Sequence, residues 1–273
     1  MNGYELAQAL RTGERVYGTC VISPAPQWPT MIASTGLDFV FIDTEHIVLD
    51  RTELAWMCQA YSGHGLAPII RIPAPDPYRA CQMLDGGAAG VVAPYLESVH
   101  QVRQLRGAVK LRPLKGQRLE SFLQSDQQPD GELREYLANY NRDKVCIVNI
   151  ESQPALDALD QLLAVPDIDA LLIGPHDLSI NLGIPEQYTH PRFEEAIQTI
   201  IRKGRAAGVG VGIHYSGSIL DEMIGWAKSG MNLIVHSSDL TLVRNSLTRD
   251  IGQIRTELGD TPRESKGAAS IDV

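Results

Sequence analysis

Short apolar runs recur along the chain and alternate with longer segments of helical periodicity. The runs are rich in leucine and β-branched residues, and turn residues bound them: Val16–Ile22, Phe39–Asp43, Pro68–Ile72, Gly90–Ala93, Val145–Ile150, Ala170–Ile173, Val209–Ile213 and Leu233–Val235. Runs of this length and composition are typical of strands buried on both faces of a parallel sheet. Because helical segments separate them, we expect parallel strands joined by right-handed crossovers.

Eight such units in a chain of 273 residues favour a closed (β/α)8 TIM barrel, which typically has roughly 250 residues. We expect residues 1–262 to form one domain, with an N-terminal helix at Tyr4–Leu10 that plugs one end of the barrel. An amphipathic C-terminal helix is predicted at Leu240–Leu258. Residues 263–273 are small and polar, which predicts a disordered tail. No GxGxxG follows the first strand, and this argues against a dinucleotide-binding sheet.

Charge and cysteine usage narrow the class of protein. The net charge is −9 and the basic residues are scattered, so a nucleic-acid footprint is not expected. No apolar stretch reaches the 18 or so residues of a membrane span, and the N-terminus lacks the apolar core of a signal peptide. We therefore expect a soluble, cytoplasmic protein. Four widely spaced cysteines are predicted to be reduced core thiols: Cys20, Cys58, Cys81 and Cys146.

Chemically capable side chains collect where the predicted strands end. In a barrel of this type the site forms at the carboxyl ends of the strands, from the loops that follow them. The candidates are Asp43 and His46 after the second strand, Arg71 in the third, Glu151 after the fifth, His176 and Asp177 after the sixth, and His214 after the seventh. Asp85 stands just before the fourth strand.

Glu151 and Asp177 each follow a short apolar run, so their carboxylates should meet above the sheet. Two such carboxylates repel each other, and the usual remedy is a divalent cation that prefers oxygen ligands, such as magnesium or manganese. The alternative is that Asp177 only caps the helix or turn at Leu178 while Glu151 faces solvent. The pattern of the two acids alone leaves both interpretations open.

Five longer stretches resemble the HpcH/HpaI class II aldolases, which cleave 4-hydroxy-2-oxo acids to pyruvate and an aldehyde. They are GLDFVFIDTEH (Gly36–His46), PIIRIP (Pro68–Pro73), MLDGGAAGVVAP (Met83–Pro94), NIES (Asn149–Ser152) and IGPHDLSINLG (Ile173–Gly183). A weaker match lies in SGMNLIVHSSD, Ser229–Asp239. The resemblance implies a metal-dependent carbon–carbon lyase on a (β/α)8 barrel.

The resemblance also implies roles for the residues at the pyruvate end. Glu151 and Asp177 would be the protein ligands of a divalent cation, magnesium or manganese and possibly cobalt. Arg71 would hydrogen-bond the keto oxygen and steady the enolate of pyruvate. The backbone of Gly174, Pro175, His176 and Asp177 would hold the substrate carboxylate.

His46 would act, directly or through a water, on the 4-hydroxyl group, with Asp85 orienting it, from across a subunit boundary in some members. Asp43 matches an acid of the family that contacts other side chains of the site rather than the substrate. The chemistry is coherent in its own right, since cleavage beside a 2-oxo group needs an electron sink and a base of near-neutral pKa. No lysine stands at the carboxyl end of a predicted strand, so Schiff-base catalysis is not expected.

The sequence departs from the family pattern around the aldehyde part of the substrate. Ile47 is bulky where a small residue is common, His176 replaces a small alanine, and His214 replaces an apolar residue. We expect His176 and His214 to contact a hydroxyl or carboxylate group of the acceptor, and the resemblance implies a homo-oligomer, a hexamer or trimer of dimers. The alternatives are an oxaloacetate decarboxylase, an acyl-CoA lyase of the citramalyl-CoA or malyl-CoA type, and a non-catalytic barrel that binds a metal or an oxo acid.

Overall fold

A closed barrel of eight parallel strands forms the centre of the computed structural model, which describes residues 1–124, 129–216 and 220–261. The predicted tail at 263–273 lies outside the described residues. Strand order follows the chain, and the last strand pairs with the first. The strands are β1 (Val16–Cys20), β2 (Phe39–Asp43), β3 (Ala67–Arg71), β4 (Gly90–Ala93), β5 (Val145–Ile150), β6 (Ala170–Ile173), β7 (Gly210–Tyr215) and β8 (Leu233–Ser238). The predicted (β/α)8 fold is confirmed.

Thirteen helices lie in the described part of the chain. They are α1 (Gly3–Thr12), α2 (Trp28–Ala33), α3 (Arg51–Gly63), α4 (Pro77–Asp85), α5 (Val99–Lys110), α6 (Gly116–Gln124), α7 (Gly131–Tyr140), α8 (Gln153–Asp157), α9 (Leu159–Leu163), α10 (Pro175–Asn181), α11 (Pro191–Ala206), α12 (Asp221–Lys228) and α13 (Asp239–Leu258). Several begin with reciprocal caps: Asn2 with Glu5, Asp50 with Glu53 and Ser98 with Gln101. Each such pair satisfies amide groups that the first turn leaves free.

Strand parity divides the barrel residues into two apolar clusters. Phe39 and Phe41 point inward, where their cluster includes Ile69, while Val40 and Ile42 pack against the surrounding helices. Side chains alternate between faces along a strand, so Asp43, two residues after Phe41, also belongs to the inward set. The same parity places Arg71, Asn149 and His214 on the barrel axis, as described below.

The amino-terminal helix closes one end of the barrel, as predicted. Leu6 and Leu10 of α1 are fully buried and belong to the inward apolar cluster. A Cβ on Gly210, at the start of β7, would lie 3.0 Å from the Cβ of Leu10, so α1 packs directly on the strand. The opposite end, where the strands terminate, stays free for the loops that carry the candidate chemistry.

Two features differ from the prediction. Helix α6 lies in the polar stretch between the fourth and fifth strands, where the sequence predicts only one helix, near Glu132–Tyr140. It forms because Leu119 and Leu123 pack on Gly107 of α5. Strand β7 continues through His214 and Tyr215, which pair with Val235 and His236 of β8. His214 is therefore inside a strand rather than in the loop that follows it.

No helix in the described residues has both the length and the apolar character needed to cross a membrane. The four cysteines are free, and three of them are buried, in agreement with reduced core thiols. Burial raises the pKa of the Cys146 thiol to about 12, which keeps it protonated and unreactive near neutral pH.

Replacing Gly212 by alanine should destabilise the barrel. An added Cβ would lie 2.2 Å from the Leu233 carbonyl oxygen in the neighbouring strand, and overpacking of this kind typically costs about 1–3 kcal/mol. Gly225→Ala is the matched control, because nothing lies within 4 Å of the added atom and alanine favours a helix by roughly 0.8–1.0 kcal/mol over glycine. Urea denaturation should show a lower midpoint for Gly212→Ala only; equal midpoints would contradict the close strand packing.

Candidate active site

A buried ion pair between β2 and β3 sits at the carboxyl end of the barrel. Asp43 and Arg71 are register partners. Arg71 Nε and Nη2 donate to Asp43 Oδ1 and Oδ2 at 2.8 and 2.5 Å. Burial by itself would raise the pKa of Asp43, but the hydrogen bonds from Arg71 bring it below its usual value. The guanidinium also lies 5.6 Å from the centre of the Phe41 ring, within range of a cation–π contact.

His46 belongs to the same group of side chains. Its Nδ1 lies 2.8 Å from Arg71 Nη2 and 3.2 Å from Asp43 Oδ2. An arginine only donates and a carboxylate only accepts, so the two neighbours favour different tautomers of the imidazole. When Nδ1–H donates to Asp43, Nε2 carries a lone pair, and the half-exposed ring is then able to accept a proton through Nε2.

Glu45 adds a second carboxylate to the group. Its Oε2 lies 3.2 Å from Arg71 Nε, yet the oxygen is buried without a hydrogen-bond partner in the described residues. Ligand atoms of Asp43, Glu45 and His46 all lie within 4.8 Å of one another. This trio is close enough to share a cation, although Asp43 is already paired with Arg71.

Glu151 is almost completely buried directly after β5. Its Oε1 accepts a hydrogen bond of 2.7 Å from the backbone amide of Tyr95, and its Oε2 accepts one from the Asn149 side chain. Burial, with smaller contributions from the nearby Glu45 and Asp177 carboxylates, raises the pKa of Glu151 to about 7. The alternative in which Glu151 faces solvent is wrong, since only 1% of the residue is exposed.

Asp177 lies in the first turn of α10, which begins at Pro175 with Gly174 as its N-cap. Asp177 is therefore not the helix cap that the alternative interpretation required, because the helix starts at Pro175, three residues before Leu178. A Cβ on Gly174 would lie 2.5 Å from Glu151 Oε2. Only glycine lets this turn approach the buried carboxylate so closely.

His214 lies on the barrel axis beside Phe41, with ring centroids 5.4 Å apart. Its Nε2 donates to the Ser237 carbonyl at 3.1 Å, which leaves Nδ1 as the acceptor nitrogen. Burial lowers the pKa of His214 to about 4, so the ring is neutral at physiological pH.

Two predicted residues take other partners within the chain. His176 is exposed, and its Nδ1 lies 3.5 Å from Glu186 Oε1. Asp85, the last residue of α4, pairs with Arg112, and its side chain is 70% exposed. Helix α4 leads into the amino end of β4, so within one chain Asp85 is not among the partners of His46, which are Asp43 and Arg71.

Sequence reasoning assigned no role to Asn149, Phe41 or Tyr95. Parity could have found Asn149, a polar residue in an apolar strand two positions before Glu151. The Tyr95 contribution is a backbone amide, which any residue type supplies, and its positive φ of 52° gives no signal in the sequence. The sequence identified Phe41 only as a residue of the second predicted strand and gave no sign of its contact with Arg71.

The residues present fit a divalent cation. Glu151, Asp177 and Glu45 are close enough for each of the other two to raise the pKa of Glu151, and Glu45 Oε2 has no hydrogen-bond donor in the described residues. Clustered carboxylate oxygens are the ligands that magnesium and manganese prefer. Glu151 and Asp177 would hold the ion, and Asn149 and the Tyr95 amide would orient the Glu151 carboxylate.

Comparisons with known proteins identify the family of this chain. The family model described as HpcH/HpaI aldolase/citrate lyase matches residues 21–245. The 2-keto-3-deoxy-L-rhamnonate aldolase of Escherichia coli (strain K12) is 30% identical over 250 residues, which are 91% of this chain and 92% of that protein. A crystal structure of an HpcH/HpaI aldolase from Desulfitobacterium hafniense DCB-2 is similar with a TM-score of 0.78 at 26% identity, covering 93% and 98% of the two chains. An HpcH/HpaI aldolase/citrate lyase family protein from Burkholderia cenocepacia J2315 has a TM-score of 0.78 at 27% identity, with 92% and 99% covered.

Cation affinity should depend on pH through Glu151. With a pKa of about 7, the carboxyl group is protonated at lower pH, and a cation must displace that proton. We expect the affinity for manganese to fall about tenfold per pH unit below pH 7 and to level off above about pH 8. Titration calorimetry with manganese at a series of pH values measures this affinity. Glu151→Gln should bind weakly at every pH, and a wild-type affinity that is constant between about pH 5.5 and 7 would contradict the assignment.

Proposed function

The chain belongs to the HpcH/HpaI aldolase/citrate lyase family and is a carbon–carbon lyase, and from that premise we propose that it cleaves a 4-hydroxy-2-oxo acid reversibly to pyruvate and an aldehyde. The observation that carries the proposal is the pairing of a guanidinium with a carboxylate at the barrel mouth. Arg71 and Glu151 are close enough for the charge of each to shift the pKa of the other. In this proposal the keto oxygen of a 2-oxo acid accepts a hydrogen bond from Arg71, and Glu151 helps to hold a cation.

The substrate class follows from the chemistry of a relative. The similar aldolase of Escherichia coli is named for 2-keto-3-deoxy-L-rhamnonate, a sugar acid whose keto group is at C2 and whose C3 carries no hydroxyl. Cleavage between C3 and C4 of such an acid leaves pyruvate and an aldehyde. We propose a 2-keto-3-deoxy sugar acid as the substrate of this chain.

A divalent cation, magnesium or manganese and possibly cobalt, would be held by Glu151 and Asp177 and would supply Lewis-acid stabilisation of the negative charge that develops on the 2-oxo group. Arg71 adds a donor fixed by Asp43, so its guanidinium needs no reorganisation as that charge appears. The backbone at Gly174, Pro175, His176 and Asp177 binds the substrate carboxylate in this proposal. The close approach of Gly174 to Glu151 brings that turn beside the cation ligands.

His46 is the proposed base for the 4-hydroxyl group. Asp43 accepts from Nδ1–H in one of the two tautomers, which leaves Nε2 free to take the hydroxyl proton. A keto oxygen that accepts from Arg71 would compete with Nδ1 for the Nη2–H donor and favour this tautomer. The dyad of His46 with Asp85 stays a prediction for the assembled oligomer, in which Asp85 would come from a neighbouring subunit.

His214 is proposed to contact the acceptor end of the substrate. A neutral ring whose Nδ1 accepts suits a hydroxyl donor better than a carboxylate, so of the two acceptor groups first considered the hydroxyl is favoured. Hydroxylated aldehydes are the products of cleaving a sugar acid. His176, paired with Glu186 outside the mouth, has the weaker support of the two histidines.

A homo-oligomer is proposed from the apolar face of α13. Large apolar side chains along this helix are more than a third exposed: Leu242, Val243, Leu247, Ile251, Ile254 and Leu258. Only Asp239 and Thr241 of the helix are buried. A stripe of this length is typical of a subunit contact, and a hexamer or trimer of dimers with exchanged C-terminal helices would cover it. The cytoplasmic location stays a prediction.

Oxaloacetate decarboxylation is the alternative that the same side chains support, because it needs the same stabilisation of a pyruvate enolate. An acyl-CoA lyase has less support. The charges that meet at the mouth in the described residues are four carboxylates, Asp43, Glu45, Glu151 and Asp177, against Arg71, whereas a CoA pyrophosphate needs a basic groove.

Exchange of the pyruvate methyl protons tests the enolate half of the proposal without knowledge of the aldehyde. In deuterated buffer with manganese or magnesium, proton NMR should show the methyl signal disappearing. Glu151→Gln and Asp177→Asn should slow the exchange by about a hundredfold or more, the usual scale for a lost electrostatic stabiliser. Exchange that persists in both variants, or that never occurs with any divalent cation, would refute the proposed chemistry.

His214→Leu should alter acceptor choice and leave methyl exchange unchanged. Loss of one hydrogen bond of about 1 kcal/mol should lower kcat/KM for a 2-hydroxyaldehyde about fivefold relative to the unhydroxylated aldehyde. His176→Leu serves as the comparison variant and is expected to have the smaller effect. An unchanged ratio of the two aldehydes in His214→Leu would remove His214 from the acceptor site.

A further inference from the structure

A cavity of about 370 Å³ lies between α1, α5 and α7, beside the loop that precedes β6. Helix α1 plugs the amino end of the barrel, and Asp167 and Asp169 precede β6 at that same end. The cavity is therefore at the end of the barrel opposite to Glu151 and Asp177, which follow the strands. Its volume is in the range of small-molecule sites.

The three helices turn four basic residues toward this cavity, one from α1, two from α5 and one from α7, and their acidic residues away. Helix α1 contributes positions 4, 7, 8 and 11, helix α5 positions 106 and 110, and helix α7 positions 134, 137 and 138. This spacing corresponds to one face of each helix. The lining includes Arg11, Arg106, Lys110, Arg134 and Arg142. Glu5, Glu132 and Glu135 of the same helices are absent from it.

Two carboxylates balance only part of this charge. Asp169 is fully buried and serves two cations, with Oδ1 2.5 Å from Arg11 Nη2 and Oδ2 2.6 Å from Lys110 Nζ. Asp167 Oδ2 accepts from Arg106 Nε and Nη2 at 2.9 and 2.7 Å. One shared carboxylate leaves the Arg11 and Lys110 pair with a net positive charge.

Arg134 and Arg142 add two further guanidinium groups. Both are exposed, and neither side chain forms a hydrogen bond or ion pair with a described residue. Five cations then face two carboxylates, an excess of three positive charges among the described residues, in a chain whose net charge is −9. Like charges gathered in this way destabilise a fold unless an anion compensates them.

We propose that this cavity binds a small anion with at least two negative charges and a short carbon body, a phosphate ester or a di- or tricarboxylate. Guanidinium groups recognise the paired oxygens of both classes. Leu111, Leu137 and Pro166 line the same space and offer apolar contact to the carbon body. The proposal is independent of the function proposed for the barrel mouth, because no residue is shared between the two sites.

Isothermal titration with pyrophosphate, succinate and acetate, at constant ionic strength and without divalent cations, tests this site. The double variant Arg134→Gln/Arg142→Gln removes two arginines of the cavity lining whose side chains have no partner among the described residues, so it should fold normally. The matched control is Arg79→Gln/Arg202→Gln, which removes two exposed arginines of α4 and α11. Anion binding should also raise the Tm measured by thermal unfolding, because a ligand of the native state stabilises it.

The proposal expects pyrophosphate or succinate to bind the wild-type chain, and the cavity variant to bind about tenfold more weakly. The control pair and Glu151→Gln should keep wild-type affinity, and acetate, with one negative charge, should bind far more weakly than pyrophosphate or succinate. Tighter binding of pyrophosphate would assign the site to phosphate esters, and tighter binding of succinate to carboxylates. Absence of binding by both, or equal loss in the cavity and control variants, would overturn the proposal.

Discussion

The ion pair between Arg71 and Asp43 is the interaction on which the barrel mouth depends. Both side chains are buried, so either charge alone would be costly, and removing one partner of such a pair typically destabilises a protein by roughly 3–5 kcal/mol. The pair is possible because parallel register aligns the ends of β2 and β3. It fixes the guanidinium over Phe41 and brings its Nη2 to His46 Nδ1. The register of two strands thereby sets the position of the guanidinium donor and places His46 Nδ1 between that donor and the Asp43 carboxylate.

Burial and charge balance at the mouth together explain why the pKa of one carboxylate is raised. Four carboxylates, from Asp43, Glu45, Glu151 and Asp177, share a single guanidinium from Arg71, and Asp43 takes the two shortest contacts with it. Burial is the main cause of the raised pKa of Glu151, and the neighbouring carboxylates of Glu45 and Asp177 add to it. A divalent cation would offset both effects. Fold stability and cation binding are therefore linked through one side chain.

Much of the architecture could be predicted from the sequence, since eight β-branched runs alternating with helices have few other solutions. The carboxyl ends of the predicted strands also located Asp43 and Arg71, because a site in this fold forms where the strands end. Parity could not reveal that β7 would continue through His214, because the apolar pattern ends at Ile213 while the hydrogen-bond ladder continues. Helix α6 was missed for a related reason, as its stability comes from packing on Gly107 rather than from its own composition.

Long-range partners were the other part that the sequence could not supply. The Tyr95 amide reaches Glu151 from 56 positions away, and a backbone group leaves no trace in residue type. Asp85 shows the converse case: its motif matches a family pattern, but its partner within the chain is Arg112. A motif identifies a residue, whereas the partner that the residue takes within the chain depends on the fold.

The residue groups at the two ends of the barrel carry opposite charge. The excess positive charge at the amino end is the harder of the two to explain by its contribution to fold stability. Residues at that end of a (β/α)8 barrel usually serve the fold, and the Asp169 pairs with Arg11 and Lys110 do tie α1 and α5 to β6. A purely structural network would approach neutrality, because uncompensated charges that are partly buried oppose folding. Arg134 and Arg142 contribute no such tie and increase the imbalance. Their place on the wall of a cavity is consistent with a bound anion, and a neutral structural network would have no need of them.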